Sequence, residues 1–208
     1  MTSKSIESLR VDIHVELICP WCQIGKRQFE RARALLLAER PDVRIDARWH
    51  LQTLLPDLPE EGLPFVEFYE RRLGSASAVA SRQAQVQRAG RAVGLDFNFE
   101  RIQRMPHTGL AHALLRDAAG QLAPETYEQL LDQLFAAHFQ HGASLSDAQL
   151  LAALAQDFGV QCSDELQPAP IGRAVPGVPY VLVNGSYAMS GARPAEDLLA
   201  MMIQALAR

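Results

Sequence analysis

Cysteine is scarce in this chain: three residues in 208 are too few for a disulfide scaffold, so the fold must be held by a packed core. Positive charge is not in excess either. Twenty Lys and Arg against 24 Asp and Glu leave a net charge of -4, and no basic cluster follows an aromatic stripe, which argues against a nucleic-acid partner. Long apolar runs are missing as well. The first apolar stretch, Val11 to Ile18, is broken by Asp12, His14 and Glu16 and cannot serve as the core of a signal peptide. The expectation is a cytoplasmic protein with no membrane contact. Hydrophobic residues at 48% and charged residues at 21% nevertheless supply enough apolar surface for an ordinary globular core.

Strand and helix periods divide the chain clearly. Val11, Ile13, Val15 and Leu17 alternate with polar residues, the period of a strand, which ends at Cys19-Pro20. Proline is well accommodated at the first helical position, so a helix starts there; Cys22, Gly25, Phe29, Ala32 and Leu36 mark its buried face and Pro41 its end. Alternation returns at Val43, Ile45, Ala47, Trp49 and Leu51, completing a β-α-β unit with parallel strands. After a loop from Leu55 to Pro64, helical patterns run over Phe65 to Gly74, Ala76 to Val93, Thr108 to Ala119 and Pro124 to Phe139. A further helix to Phe158 opens with a capping box, Ser146 to Gln149, flanked by a Leu145/Leu150 staple. Strands are expected again from Pro179 to Val183 and from Tyr187 to Ser190, around an Asn184-Gly185 turn. A last helix runs from Pro194 to Ala207, with Leu198, Leu199, Met202 and Leu206 on its apolar side. The fold class is therefore α/β, in the order β-α-β, helical insertion, β-β-α. The expected domains are residues 1–58 with 160–208, and an all-helical insertion over 59–159.

Cys19-Pro20-Trp21-Cys22 carries the chemistry. The thiolate attacks a disulfide, yet a free cysteine with a pKa of about 8.5 is only slightly ionised at neutral pH. At a strand-to-helix junction, Cys19 meets unpaired N–H groups and the positive end of a helix dipole. Lowering a pKa by two units takes about 2.7 kcal/mol, which dipole and charge-assisted hydrogen bonds can together supply. Cys22, one turn later, faces inward as the resolving thiol. The same motif can serve as half of a zinc site, but that needs two more ligands. Cys162 stands alone, and His138 and His141 lie far away without zinc-ribbon spacing, so no metal is expected.

These residues carry a family resemblance. Cys-Pro-Trp-Cys after a strand, Ile24-Gly25-Lys26, the loop from Leu55 to Gly62, Ala111-His112, Gly177-Val178-Pro179 leading into Asn184-Gly185, and Ser190 to Pro194 together resemble the FrnE-like branch of the DsbA family. The resemblance spans nearly the whole chain. It implies a thioredoxin-like fold interrupted by a helical domain, and dithiol-disulfide oxidoreductase activity, in some members linked to polyketide biosynthesis. It also implies a monomer or homodimer with no bound cofactor, a redox-active Cys19-Cys22 disulfide, protein or small-molecule thiol and disulfide substrates, and glutathione or thioredoxin-type thiols as electron partners. Pro179 matches the cis-proline that faces the dithiol, where the backbone of Val178 could pair with a substrate strand; the plain alternative is a trans proline opening a strand. Glu16 stands where the family usually has Asp, and could relay the proton of Cys22; strand alternation alone would also explain a polar residue there.

The remaining candidates have simpler readings. Cys162 is expected to be a buried or half-buried free thiol, and His112 to pack on a helix face. His107 replaces a usual Asn. The short stretch from Val160 to Gly177, with Pro168, Pro170 and Pro176, should be irregular. Pro20-Trp21 brings no cation to the thiolate, so the couple should be less oxidising than in the most oxidising relatives. Two other functions use the same architecture: a glutathione-dependent isomerase resembling the kappa-class transferase and hydroxychromene-carboxylate isomerase branch, which typically places Ser at the reactive helix start, and a redox-sensing binding module.

Overall fold

A computed structural model of the chain describes residues 7–163 and 175–207. The chain forms two units, Met1–Gln52 with Gly172–Arg208, and Thr53–Ile171.

The first unit opens with strand β1 (Ser8–Val15), helix α1 (Pro20–Glu39) and strand β2 (Arg44–Leu51). β1 and β2 are parallel, with Val11 opposite Ala47, Ile13 opposite Trp49 and Val15 opposite Leu51. Leu9, Val11, Ile13 and Val15 are fully buried, as their alternation predicts. The polar residues between them are buried as well: Asp12, His14 and, just beyond the strand, Glu16. β1 is a central strand whose residues from Val11 on are buried whichever face they point to, so its polar side chains need partners. Asp12 accepts from Arg10 Nε at 2.9 Å and faces His50 Nε2 at 2.8 Å. His14 stacks on His50 with ring centroids 4.7 Å apart. Gln52 Nε2 lies 3.2 Å from His14 Nδ1, within hydrogen-bond reach.

The second unit contains strand β3 (Leu63–Pro64), helices α2 (Phe65–Leu73) and α3 (Ala76–Arg91), a 3-10 turn (Phe99–Arg101), strand β4 (Arg104–Met105), and helices α4 (Gly109–Ala119), α5 (Pro124–Phe139) and α6 (Ala148–Phe158). β3 and β4 pair antiparallel over two residues, a ladder absent from the all-helical reading of this region. Phe97, Phe99, Phe135 and Phe139 are buried ring against ring in its core. The cap of α6 differs from the expected box. Asp147, not Ser146, is the N-cap, and its carboxylate accepts from the N–H groups of Gln149 and Leu150, while Ser146 turns its hydroxyl to Ser144. A carboxylate at that position also faces the positive end of the helix dipole.

The chain returns to the first unit with β5 (Tyr180–Val183), β6 (Tyr187–Ser190) and α7 (Ala195–Leu206). The sheet order is β2-β1-β5-β6, with β5 antiparallel to both neighbours. Asn184 and Gly185 both adopt positive φ in the hairpin loop, and Asn184 is tied to β1 by paired hydrogen bonds with the Arg10 backbone. α7 buries Leu198 and Met202 as expected, but Met201 and Ala205 take the places assigned to Leu199 and Leu206, which stay half exposed. Its start is docked on α1, where Gln28 Oε1 accepts the Ala195 N–H at 3.0 Å. The irregular connection expected from Val160 to Gly177, with Pro168 and Pro170, lies largely outside the described residues. Among the described residues no helix is long and apolar enough to cross a membrane.

Candidate active site

Past Val15 the chain stays buried through Glu16, Leu17 and Ile18 before Cys19 reaches partial exposure. The Cys19 N–H donates to Glu16 O at 3.1 Å, and the Cys22 N–H donates to Cys19 O at 2.9 Å, so a tight turn delivers the chain into α1. Cys19 is the N-cap residue, in extended conformation, and Pro20 occupies the first turn. No side chain caps the helix by a hydrogen bond; a sulfur stands where a capping oxygen would. Cys22 is buried, and both cysteines are free thiols, near each other but not bonded.

The two thiols are driven in opposite directions. Cys19 is held below the ordinary thiol value chiefly because the Cys22 S–H donates to its anion. Burial opposes this, the N–H groups of Cys22 and Trp21 reinforce it, and the Glu16 carboxylate opposes it. The sequence places the weight on the helix start, whereas the structure gives first place to the neighbouring thiol, a short-range charge-assisted donor. Cys22 is pushed well above the ordinary value, by burial first and then by its bond to Cys19 and the charge there; the Glu16 N–H partly counters this. Of the two, Cys19 is the thiol whose ionisation the surroundings favour.

Glu16 lies wholly buried behind this pair. Its backbone N–H donates to Cys22 Sγ at 3.4 Å, and its carboxylate accepts the Leu17 N–H at 2.6 Å. From the far end of the chain, the Val178–Pro179 peptide is cis and brings Val178 O to 3.9 Å from Cys19 Sγ. Pro179 is buried, and its carbonyl accepts the Gly191 N–H at 2.8 Å. Pro20 and Trp21 are half buried at the helix start. The structure thus brings Glu16, Cys19, Cys22, Val178 and Pro179 together.

The other marked residues belong to the second unit, Thr53–Ile171. His112 is buried in α4 with Nδ1 3.4 Å from Thr53 Oγ1. His107 Nδ1 accepts the Gly109 N–H at 3.1 Å at the start of that helix, so histidine makes a polar contact at the position usually held by Asn. His138 is buried with Nδ1 3.3 Å from Ala143 O. Cys162 is a half-exposed free thiol, raised by burial and by the Asp117 carboxylate. Among the described residues no three His, Cys, Asp or Glu side chains converge as a cation site.

The burial of one polar group on α1 was not expected from the sequence. Lys26, four residues after Cys22, has a fully buried side chain that pairs with Glu30, with its ammonium 5.8 Å from the centre of the Trp49 ring. Burial pushes the Glu30 carboxyl up, but Lys26 and Arg27 together hold it below the usual carboxylate range. The signal was present in the helical spacing: Lys26 falls close to the Cys22 face of α1.

Comparison with known proteins places this geometry in a family. A family profile described as a DSBA-like thioredoxin domain matches residues 10–169. A curated relative, the protein YwbO of Bacillus subtilis, is 23% identical over 153 residues, covering 74% of this chain and 68% of its own. The solved structure of a probable DsbA oxidoreductase from Streptomyces coelicolor is similar at a TM-score of 0.79 and 26% identity, covering 96% of this chain and 91% of that one. A putative protein disulfide isomerase from Nitrosomonas europaea is similar in fold at 0.63 and 14% identity (97% and 98% covered), and a 2-hydroxychromene-2-carboxylate isomerase at 0.55 and 15% (96% and 95%). With the profile spanning most of the chain, and a thioredoxin-like α/β fold carrying a helical unit, the protein belongs to the DSBA-like thioredoxin domain family, in keeping with its FrnE-like branch.

Proposed function

We propose that this protein is a thiol-disulfide oxidoreductase that exchanges disulfides with protein or small thiol substrates through Cys19 and Cys22. The observation that carries the reading is the arrangement of the two thiols: Cys19 is partly exposed at the start of α1 beside the Val178 carbonyl, and Cys22 is buried one turn later, which favours ionisation of the first over the second. In the reductive direction the Cys19 thiolate attacks one sulfur of a substrate disulfide. The substrate S–S bond breaks, a mixed disulfide forms on Cys19, and the first substrate thiolate leaves to take a proton from solvent. Cys22 then gives its proton to the Glu16 carboxylate and attacks Cys19 Sγ. The second substrate thiolate departs, the substrate is reduced by two electrons, and the protein keeps a Cys19-Cys22 disulfide. Glutathione or thioredoxin-type thiols in a cytoplasmic setting would return the pair to the dithiol; the steps run backwards for oxidation.

Val178 is assigned to backbone pairing with a peptide substrate, because its carbonyl lies beside the attacking sulfur. Thr53–Ile171 is assigned as a helical insertion in the thioredoxin-like domain. An isomerase of related fold gives no reason to prefer glutathione activation, since fold alone does not choose the chemistry and two cysteines stand at the reactive helix. Catalysed insulin reduction tests the proposal: turnover by the wild type and none by Cys19→Ser is the expected result, and equal rates for both would refute it. Cys22→Ser should stall at the mixed disulfide and so retain substrates on Cys19.

A further inference from the structure

Glycine is a poor helix former, yet Gly25 sits inside the second turn of α1, where nothing in the backbone requires it. Its φ is not in the left-handed region, so conformational freedom is not the reason. The reason is a neighbour. A Cβ at position 25 would fall 2.8 Å from Cγ and 3.1 Å from Cβ of Pro179, with Ala192 Cα next at 3.8 Å. Those proline atoms belong to a ring fused to the main chain, so they cannot swing aside as the end of a flexible side chain would. Pro179 is buried between α1 and the Gly191 N–H that its carbonyl accepts, and Val178, one residue before it, presents the carbonyl 3.9 Å from Cys19 Sγ.

We propose that Gly25 is a specificity-determining position: its missing side chain seats the Pro179 ring on α1 and fixes the spacing between Cys19 and the Val178 backbone that a peptide substrate must bridge. This rests on the dithiol reading and on Val178 as the pairing backbone. A peptide disulfide needs both the attacking sulfur and the backbone edge in register. A small disulfide needs only the sulfur. Adding a methyl group at position 25 moves the edge while leaving Glu16, Cys19 and Cys22 on their own turn, so the two substrate classes should separate.

The test measures kcat/KM of the full chain on insulin and on 2-hydroxyethyl disulfide. Gly25→Ala should lose about 10- to 100-fold on insulin while staying within about twofold on the small disulfide, with the Cys19 thiolate titration unmoved. Pro179→Ala removes the clashing Cγ, so adding Gly25→Ala to it should change the insulin rate far less than in the wild type. That pair of variants also answers the question if Gly25→Ala alone does not fold. Equal losses on both substrates, no loss on insulin, or full additivity with Pro179→Ala would overturn the inference while leaving the dithiol reading intact. A wild type inert toward both substrates would overturn the dithiol reading itself, and this inference with it.

Discussion

Cys22 Sγ is held 3.4 Å from the backbone nitrogen of Glu16, whose N–H donates to it, and from there its own S–H is directed at Cys19. Cys22 is thus the main group that lowers the pKa of its partner. Removing the donor should therefore raise the pKa of Cys19. Cys22→Ala should move the Cys19 titration up, whereas Cys22→Ser, which keeps a hydroxyl donor, should move it less. Ultraviolet titration of the thiolate in the two variants checks this; identical curves would assign the lowering to the helix start alone.

The Glu16 carboxylate opposes ionisation of both sulfurs by its charge. Glu16→Gln should consequently lower both thiol pKa values, by less than Cys22→Ala raises that of Cys19. If the same carboxylate accepts the Cys22 proton, Glu16→Gln should also slow release from the mixed disulfide, on the order of 10²-fold. That slowing should shrink as pH rises and Cys22 ionises unaided. Single-turnover kinetics across pH separates the effects: a more acidic Cys19 with an unchanged release rate would remove the proton-relay role.

Asp12 offers a test of the polar face of β1. Burial pushes its carboxyl up, but the His50 hydrogen bond and Arg10 outweigh burial and hold it below the usual carboxylate value. A group whose folded pKa is depressed stabilises the fold above its unfolded pKa, about 3.9, and loses that contribution as pH falls through the folded value. Asp12→Asn should then cost about 1 kcal/mol at neutral pH, a difference that closes below about pH 4. Denaturant melts at several pH values read this directly; a pH-independent difference would mean that Asp12 acts by packing alone.

The periodic parts of the fold were legible because each residue signals its own face. The alternation in β1 and β2, the helix opening at Pro20 and the Asn184-Gly185 loop all stand where their local chemistry puts them. The dithiol was legible for the same reason, as spacing and context lie within four residues. What stayed hidden depends on distant partners. The burial of Asp12 and His14 is set by His50 on β2 and Gln52 just past its end, and that of Lys26 by Glu30 and Trp49. The start of α6 offered several oxygens within four residues, Ser144, Ser146 and Asp147, and tertiary context chose among them. β3 and β4, two residues each, are too short to leave a period. The seat of Pro179 on Gly25 joins positions at opposite ends of the chain and leaves no local trace except a glycine inside a helix.

The central claim is that Cys19 is the anion of the pair and Cys22 its donor. Thiolate absorbance near 240 nm, followed through a pH titration of the reduced protein and repeated on Cys19→Ser and Cys22→Ser, tests it most directly. The wild type and Cys22→Ser should show a step below the ordinary thiol value of about 8.5 that is missing in Cys19→Ser. A step at the ordinary value, or one that survives Cys19→Ser and vanishes with Cys22→Ser, would contradict the account.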